Sequence, residues 1–368
     1  MAITVDCAYP GGNVIAERID GDRLIVRQDI RDTDQWWFWW NFRVRGAAGR
    51  TLRVEFADDK GPVGPNGAVM STDRRDWRWI GGEFDRKHFV ADVPAGAGEV
   101  YFAMSFPYQL EDWARFAAGL SARPGVRIAE LVRTEKGRSL PVMTIGDPGS
   151  AGRNAVFTCR HHACEAMASY VVEGVVGELL SSPSEGLRRT TAFSIVPFVD
   201  LDGVEDGDQG KARRPHDHNR DYLPEPIYRV TRAVQALVRD LAGKGLAIFV
   251  DFHCPWIRGP RNESAYLVEP PAPWAAEAAR FREILKRTPT GGVPYTGRDD
   301  IAAGVEWNSG TAPTSARFAL DHGGPAMRTA FSLEFSYSLT EGEPATPERA
   351  RQFGRALARA FGEYLEAR

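Results

Sequence analysis

From about Arg127 onward the chain alternates apolar runs of strand length with amphipathic stretches of helical period, which limits the folds open to it more than any other feature. The strand-like runs are Leu140 to Ile145, Ala155 to Cys159, Thr191 to Val199, Ala247 to His253 and Arg328 to Phe335. Helices are expected over Ala163 to Leu180, Ile227 to Leu241 and Pro273 to Lys286. In the second, Ile227, Val230, Val234, Leu237, Val238 and Leu241 form one apolar stripe, and Gly243 is placed to cap its end. A last helix starts with Thr346 as N-cap and Pro347 in the first helical position. Alternating β and α units predict an α/β unit whose mixed, mainly parallel sheet is flanked by helices.

Before about residue 120 the texture differs. Gln35 to Arg45, Thr51 to Phe56, Trp77 to Ile80, His88 to Val93 and Glu99 to Ser105 are short alternating runs separated by Gly, Pro, Asn and Asp clusters. They predict an all-β antiparallel sandwich. The run Trp36-Trp37-Phe38-Trp39-Trp40-Asn41-Phe42-Arg43-Val44 is expected to be a central strand of its core, and the turn-rich loop Lys60 to Gly67 to be exposed. A chain of 368 residues accommodates two domains, here 1–122 and 123–368.

A net charge of −3 gives no support to nucleic-acid binding, and no apolar stretch approaches the length of a membrane span. Met1 to Asp6 lacks a basic start leading into an apolar run, so no signal peptide is expected. Cys7, Cys159, Cys164 and Cys254 read as buried reduced thiols, which suits a cytoplasmic protein.

Three segments carry chemistry. In Phe157-Thr158-Cys159-Arg160-His161-His162-Ala163-Cys164-Glu165, a strand gives way to a helix and His162 stands three residues before Glu165, a spacing that shares one helix face. With His253 at the end of a later strand, these donors suit Zn²⁺, one per chain, with a position left open for water. His161 is out of register with Glu165 and reads as a neighbour. In Arg213-Arg214-Pro215-His216-Asp217-His218-Asn219-Arg220, the Asn219-Arg220 pair suits a substrate with a terminal carboxylate, which Arg meets with a planar fork. His216 and His218 read as supporting residues. Glu334 lies alone inside the apolar run Ala330 to Ser336; burial raises the pKa of such a carboxyl and fits it to general-base work beside a metal.

Taken in order, His162-x-x-Glu165, Asn219-Arg220, His253 and Glu334 resemble the zinc metallocarboxypeptidase family, and most closely its cytosolic carboxypeptidase subfamily. Trp37 to Gly46 is similar to that subfamily's W-F-x-F-x-V-x-G strand, Pro107 to Trp113 to its P-Y-T-Y-x-D exit, and Asp202-Gly203-Val204 with Asn219-Arg220 to its D-G-V and D-L-N-R segment. The resemblance implies that His162, Glu165 and His253 hold zinc, that Glu334 is the general base, and that Asn219 and Arg220 grip the substrate α-carboxylate. It also implies a basic residue stabilising the oxyanion: Lys211, Arg213 and Arg214 are the candidates, with Arg213 preferred. The chain departs from the family in having His218 where Leu precedes Asn-Arg, and in lacking a Tyr between Asn308 and Ser332, where only His322 offers a proton.

The implied activity is removal of a C-terminal residue from a peptide or protein. Arg213 and Arg258 favour an acidic terminal side chain. Two alternatives are a zinc-dependent N-acyl amino acid deacylase of the aspartoacylase and succinylglutamate desuccinylase type, and a non-catalytic binding protein built on a degenerate peptidase.

Overall fold

A computed structural model describes residues 2–367. In the first half the strands are β1 (Thr4–Asp6), β2 (Ile15–Asp20), β3 (Arg23–Arg27), β4 (Asn41–Arg45), β5 (Thr51–Phe56), β6 (Val69–Ser71), β7 (Arg78–Trp79), β8 (His88–Asp92) and β9 (Glu99–Ala103). They form two sheets, ordered β1-β4-β9-β6-β7 and β2-β3-β5-β8. β5 shows the rule that makes them: Leu52, Val54 and Phe56 are buried while Thr51, Arg53 and Glu55 turn outward, the period of a pleated strand. Phe89 of one sheet stands 5.3 Å from Phe102 of the other and 5.6 Å from Trp40, so the two sheets share a core of rings. Every pairing is antiparallel except β3 with β5. Between those two the chain crosses to the other sheet as β4, and that crossover lets it return in the same direction.

Two expectations for this half are overturned. Residues 36–40 are not a strand; only Asn41–Arg45 pairs. The tryptophans leave the sheet because their backbone and ring groups bind the second half. The Trp39 amide donates to Gln209 Oε1 at 2.8 Å, Gln209 Nε2 donates back to the Trp39 carbonyl at 2.9 Å, and Trp37 Nε1 reaches Cys164 Sγ at 3.2 Å. Nor is the Lys60 to Gly67 loop exposed at its centre: Gly61, Pro62, Val63 and Gly64 are buried. Arg258 donates to the carbonyls of Gly61 and Val63 at 2.7 and 2.5 Å, and Trp40 Nε1 to that of Pro62 at 2.9 Å.

The first half ends in α1 (Leu110–Ala118), and the second opens with β10 (Val126–Arg133), β11 (Ser139–Ile145), β12 (Arg153–Cys159) and α2 (Ala166–Leu179). It continues through α3 (Glu185–Thr190), β13 (Thr191–Val196), α4 (Leu201–Asp206), α5 (Arg229–Ala242), β14 (Leu246–His253) and β15 (Ala265–Val268). It closes with α6 (Ala275–Arg287), α7 (Ser315–His322), β16 (Thr329–Phe335) and α8 (Pro347–Glu366). The mixed sheet is ordered β10-β11-β13-β12-β14-β16-β15; its four central strands run parallel and its edges antiparallel. β14 is buried at every position, as a strand covered on both faces must be. At the start of α8, Thr346 Oγ1 accepts from the Arg349 amide at 3.2 Å. Gly243 ends α5 in right-handed geometry, and the left-handed turn falls two residues later at Gly245, φ +80°.

α2 and α8 touch through glycines. A Cβ on Gly174 would lie 2.1 Å from the Arg351 carbonyl, and one on Gly354 2.0 Å from that of Val171, so the backbones meet without side chains between them. The carboxyl ends of β12, β14 and β16 open onto one edge of the sheet, where sites of α/β folds gather.

Candidate metal centre

Beyond β12 the chain turns sharply instead of entering a helix. Arg160 takes φ +60°, a costly value for a side-chain-bearing residue. Its buried guanidinium holds the turn, donating to the Tyr108 carbonyl at 2.9 Å, to Ser169 Oγ at 3.2 Å and to the Ala163 carbonyl. The Glu165 amide closes back on the His162 carbonyl at 3.2 Å and α2 begins only at Ala166. His162 and Glu165 therefore meet across a tight turn ahead of the helix, not on a helix face: the strand end must reverse before α2 can pack on the sheet.

That turn faces the end of β14. His162 Nδ1 lies 2.7 Å from Glu165 Oε1, and His253 Nδ1 lies 2.7 Å from Glu165 Oε2. All three residues are buried, and their donor atoms sit within 4.8 Å of one another. Burial alone would raise the pKa of Glu165, but the two imidazoles outweigh it and hold the carboxylate well below its usual range. His253 is displaced the other way: burial opposes its charge, and Asp251 and Glu165 together raise it well above an ordinary imidazole.

Carboxylates also stand behind the imidazoles. Asp251 Oδ2 lies 2.6 Å from His253 Nε2, and Asp217 Oδ1 lies 3.6 Å from His162 Nε2. Metal-binding histidines are commonly oriented this way, with the far nitrogen turned to a carboxylate. His162 Nε2 and Asp217 Oδ1 have no hydrogen-bond partner. The residue types, the inward-facing Nδ1 atoms and these backing carboxylates fit Zn²⁺.

A second grouping, His161, Asp251 and His253, also lies within metal-binding distance. Its atoms are already spoken for. Asp251 accepts from Thr158 Oγ1 at 2.8 Å and Ser315 Oγ at 2.7 Å as well as from the two histidines. Burial lowers the pKa of His161, which favours its neutral ring; its Nδ1 lies 2.7 Å from Asp251 and its Nε2 2.8 Å from the Tyr222 hydroxyl. This is a positioning relay behind His253.

Glu334 pairs in register with His253 across β14 and β16, which brings its carboxyl to the same sheet edge. It is buried, its Oε2 has no partner, and burial pushes its pKa up to about 7. Lys211 Nζ lies 3.4 Å from His162 Nδ1. Asn219 is a buried wall residue whose Nδ2 stands 3.2 Å from His253 Nε2 and whose Oδ1 accepts the Ser315 amide at 2.9 Å. Arg220 folds back on the Asn219 carbonyl at 2.9 Å and lines the same cavity.

Other candidates stand elsewhere. Arg213 is caged, with Asp200 at 2.6 Å, Asp208 at 3.0 Å and Asp32 at 3.6 Å, so its charge is spent on three carboxylates. Arg214 pairs with Asp34 at 3.1 Å. His216 pairs with Asp221 at 2.7 Å and His218 stacks on Tyr228 with centroids 3.8 Å apart. His322 packs against Phe318 at 4.3 Å and faces a separate recess. Burial pushes the thiols of Cys159, Cys164 and Cys254 up, and among the described residues none of them joins a group that could hold a metal. Asp251 and Asp217 had gone unread in the sequence; the Asp-x-His spacing at the end of β14, which puts both side chains on one face, was the available signal.

Two cavities meet here. A narrow chamber of about 70 Å³ is lined by His162, Asn219, Arg220, His253 and Glu334. A wide pocket of about 830 Å³ shares Lys211, Arg220, Trp307 and Glu334 with it and extends to Trp37 of the first half.

Residues 5–105 match the family model for the cytosolic carboxypeptidase N-terminal domain, and residues 116–236 match that for zinc carboxypeptidase. Together the two models cover more than half of the chain. The chain belongs to the zinc carboxypeptidase family. The zinc carboxypeptidase match takes in His162, Glu165, Asn219 and Arg220 and ends before His253 and Glu334.

Among curated relatives, an uncharacterized protein of Zymomonas mobilis is 27% identical over 215 residues, 55% of each chain. Cytosolic carboxypeptidase 3 of Mus musculus is 25% identical over 187 residues, 46% of this chain and 19% of the relative. The matched region thus spans little more than half of one relative and about a fifth of the other. In fold, a metallo-carboxypeptidase from Burkholderia cenocepacia superposes with a TM-score of 0.81 at 22% identity, over 100% of this chain and 99% of that one. A metallo-carboxypeptidase from Pseudomonas aeruginosa, in complex with (2-guanidinoethylmercapto)succinic acid, superposes at 0.80 with 18% identity over 99% of each chain.

Proposed function

We propose that this chain is a zinc-dependent carboxypeptidase that hydrolyses the last peptide bond of a peptide or protein. The observation that carries the reading is the unpartnered, buried Oε2 of Glu334 beside the His162, Glu165 and His253 donor set. These three residues hold the metal. Bound Zn²⁺ supplies Lewis acidity, lowering the pKa of a water and polarising the scissile carbonyl. Glu334 accepts a proton at Oε2 and hands it to the departing amine nitrogen; a pKa of about 7 suits both steps near neutrality.

Asn219 and Arg220 bind the substrate α-carboxylate from the wall of the narrow chamber. Lys211 takes the oxyanion role in place of Arg213, because its ammonium lies beside His162 while Arg213 is held by three aspartates. The terminal side chain is small and neutral. The chamber walls include Val268, Ala316 and Leu320, and apart from Lys211, Arg220 and Glu334, which serve the reaction, the charged groups there are already paired, Glu269 with Arg282 at 2.5 Å and Arg317 with Asp321 at 2.7 Å. Arg258, committed to backbone carbonyls, offers no anion site, so the expected acidic preference loses both of its supports.

No helix among the described residues is long and apolar enough to cross a membrane. With Cys7, Cys159, Cys164 and Cys254 all free, we place the enzyme in the cytoplasm. The deciding experiment measures metal content and offers blocked peptides and N-acyl amino acids side by side. One zinc per chain with chelator-sensitive release of a terminal Ala supports the proposal. Hydrolysis confined to N-acyl amino acids would establish the deacylase instead, and absence of both metal and hydrolysis would leave a binding protein.

A further inference from the structure

The wide pocket has an unusual wall. Among the described residues six large apolar side chains are exposed, and two of them line this pocket: Trp256, at 39%, belongs to it alone, and Trp307, at 52%, stands where it meets the narrow chamber. Single exposed apolar groups are ordinary on a protein surface; two indoles beside a proposed catalytic carboxylate are a feature of the site.

Trp256 is also held rigid. Its ring meets Trp37 edge-on at 4.7 Å and Phe38 edge-on at 5.3 Å, and lies 5.5 Å from Trp36. Three rings of the first half thus grip an indole three residues beyond His253 and leave part of it bare. An aromatic wall fixed before binding loses little freedom when a second ring meets it.

We propose that the wide pocket is the subsite for the residue on the N-terminal side of the scissile bond, and that it selects an aromatic side chain there. This rests on the carboxypeptidase reading, and size and chemistry set the direction. The narrow chamber of about 70 Å³ holds the Asn219 and Arg220 carboxylate grip and suits the single residue released. The wide pocket of about 830 Å³ receives the remaining chain. A cationic side chain, the other natural partner of an indole, is disfavoured. Lys60 already lies 5.6 Å from the Trp36 ring centre and Lys211 5.9 Å from that of Trp37, so two of the rings beside Trp256 already face a cation.

The test uses N-acetyl-Gly-X-Ala peptides with X as Phe, Leu, Ala or Lys. Wild type is expected to cleave the Phe peptide with kcat/KM about tenfold above the Ala peptide, with Lys no better than Ala. Trp256→Ala is expected to shrink the Phe-to-Ala ratio to about twofold or less. Trp307→Ala, at an exposed position, is a second variant in case the first fails to fold, and is expected to lower the ratio in the same direction. Equal rates for all four peptides in wild type, or a ratio that survives both variants, overturns the proposal. If no peptide is cleaved the carboxypeptidase reading itself fails, and equilibrium binding then judges the subsite. Tighter binding of N-acetyl-Gly-Phe than of N-acetyl-Gly-Ala upholds the aromatic site; equal binding rejects it.

Discussion

Two buried charged clusters lie within one short stretch of each other, and they differ in completeness. In the Arg213 cage the guanidinium meets Asp200, Asp208 and Asp32, and Arg31 adds a second cation 3.0 Å from Asp208. In the His162, Glu165 and His253 cluster, His162 Nε2, Asp217 Oδ1 and Glu334 Oε2 are left without hydrogen-bond partners. A buried polar atom without a partner is costly. Each carboxylate of the first cluster meets a cation within the protein, only Arg213 Nε is left without a partner, and the cluster clips the two halves together; the second is the one we propose holds a ligand. What separates the brace from the site is which atoms are left over: one guanidinium nitrogen in the brace, but a ring nitrogen and two carboxylate oxygens in the site.

Substitutions can break that distinction. The largest effect is expected from Glu334→Gln, which should lower kcat about 10³-fold while the protein keeps its zinc, read by steady-state kinetics alongside metal analysis. Loss of metal in this variant would move Glu334 into the ligand set. Next comes Arg213→Met, which removes the cation shared by Asp200, Asp208 and Asp32 and should cost about 3–5 kcal/mol in urea unfolding. A variant as stable as wild type but slow in catalysis would return Arg213 to the oxyanion role. Lys211→Met should do the reverse, lowering kcat about 10²-fold and shifting stability by about 0.5 kcal/mol or less.

The smallest effect concerns pH. Asp251 and Glu165 raise His253 well above an ordinary imidazole, so the metal-free protein carries a proton there that zinc must displace. Acid therefore weakens binding and alkali strengthens it, by about tenfold per pH unit for one proton released. Competition with a chelator across neutral pH measures the slope, and a flat profile contradicts the assignment of His253.

Much of this was legible in the sequence. The four central strands, α2, α5, α6 and α8 follow from periodicity and caps, because their apolar faces are buried on a covered sheet. The edge strands β10 and β15 were missed: β10 is exposed at half of its positions, including Arg127, Glu130 and Arg133, and a register shift between Glu130 and Val132 breaks its apolar alternation. The tryptophan run misled because its rings are as apolar as a core strand, yet they pack across the two halves. Arg213 misled for a related reason: its partners Asp32 and Asp208 are distant in sequence or unmarked by it, and only the fold discloses that its charge is already used.

The contact of Gly174 with Gly354 has a consequence in the order of synthesis. α2 emerges from the ribosome directly after the turn bearing His162 and Glu165, whereas α8, whose backbone fills the groove on α2, emerges only after the whole sheet has been made. Until then one flank of α2 is bare, and the turn it anchors has no fixed footing. The proposed metal cluster is accordingly expected to set late in translation: a ribosome stalled before Pro347 holds a chain with every proposed zinc ligand present and the α8 flank of α2 uncovered.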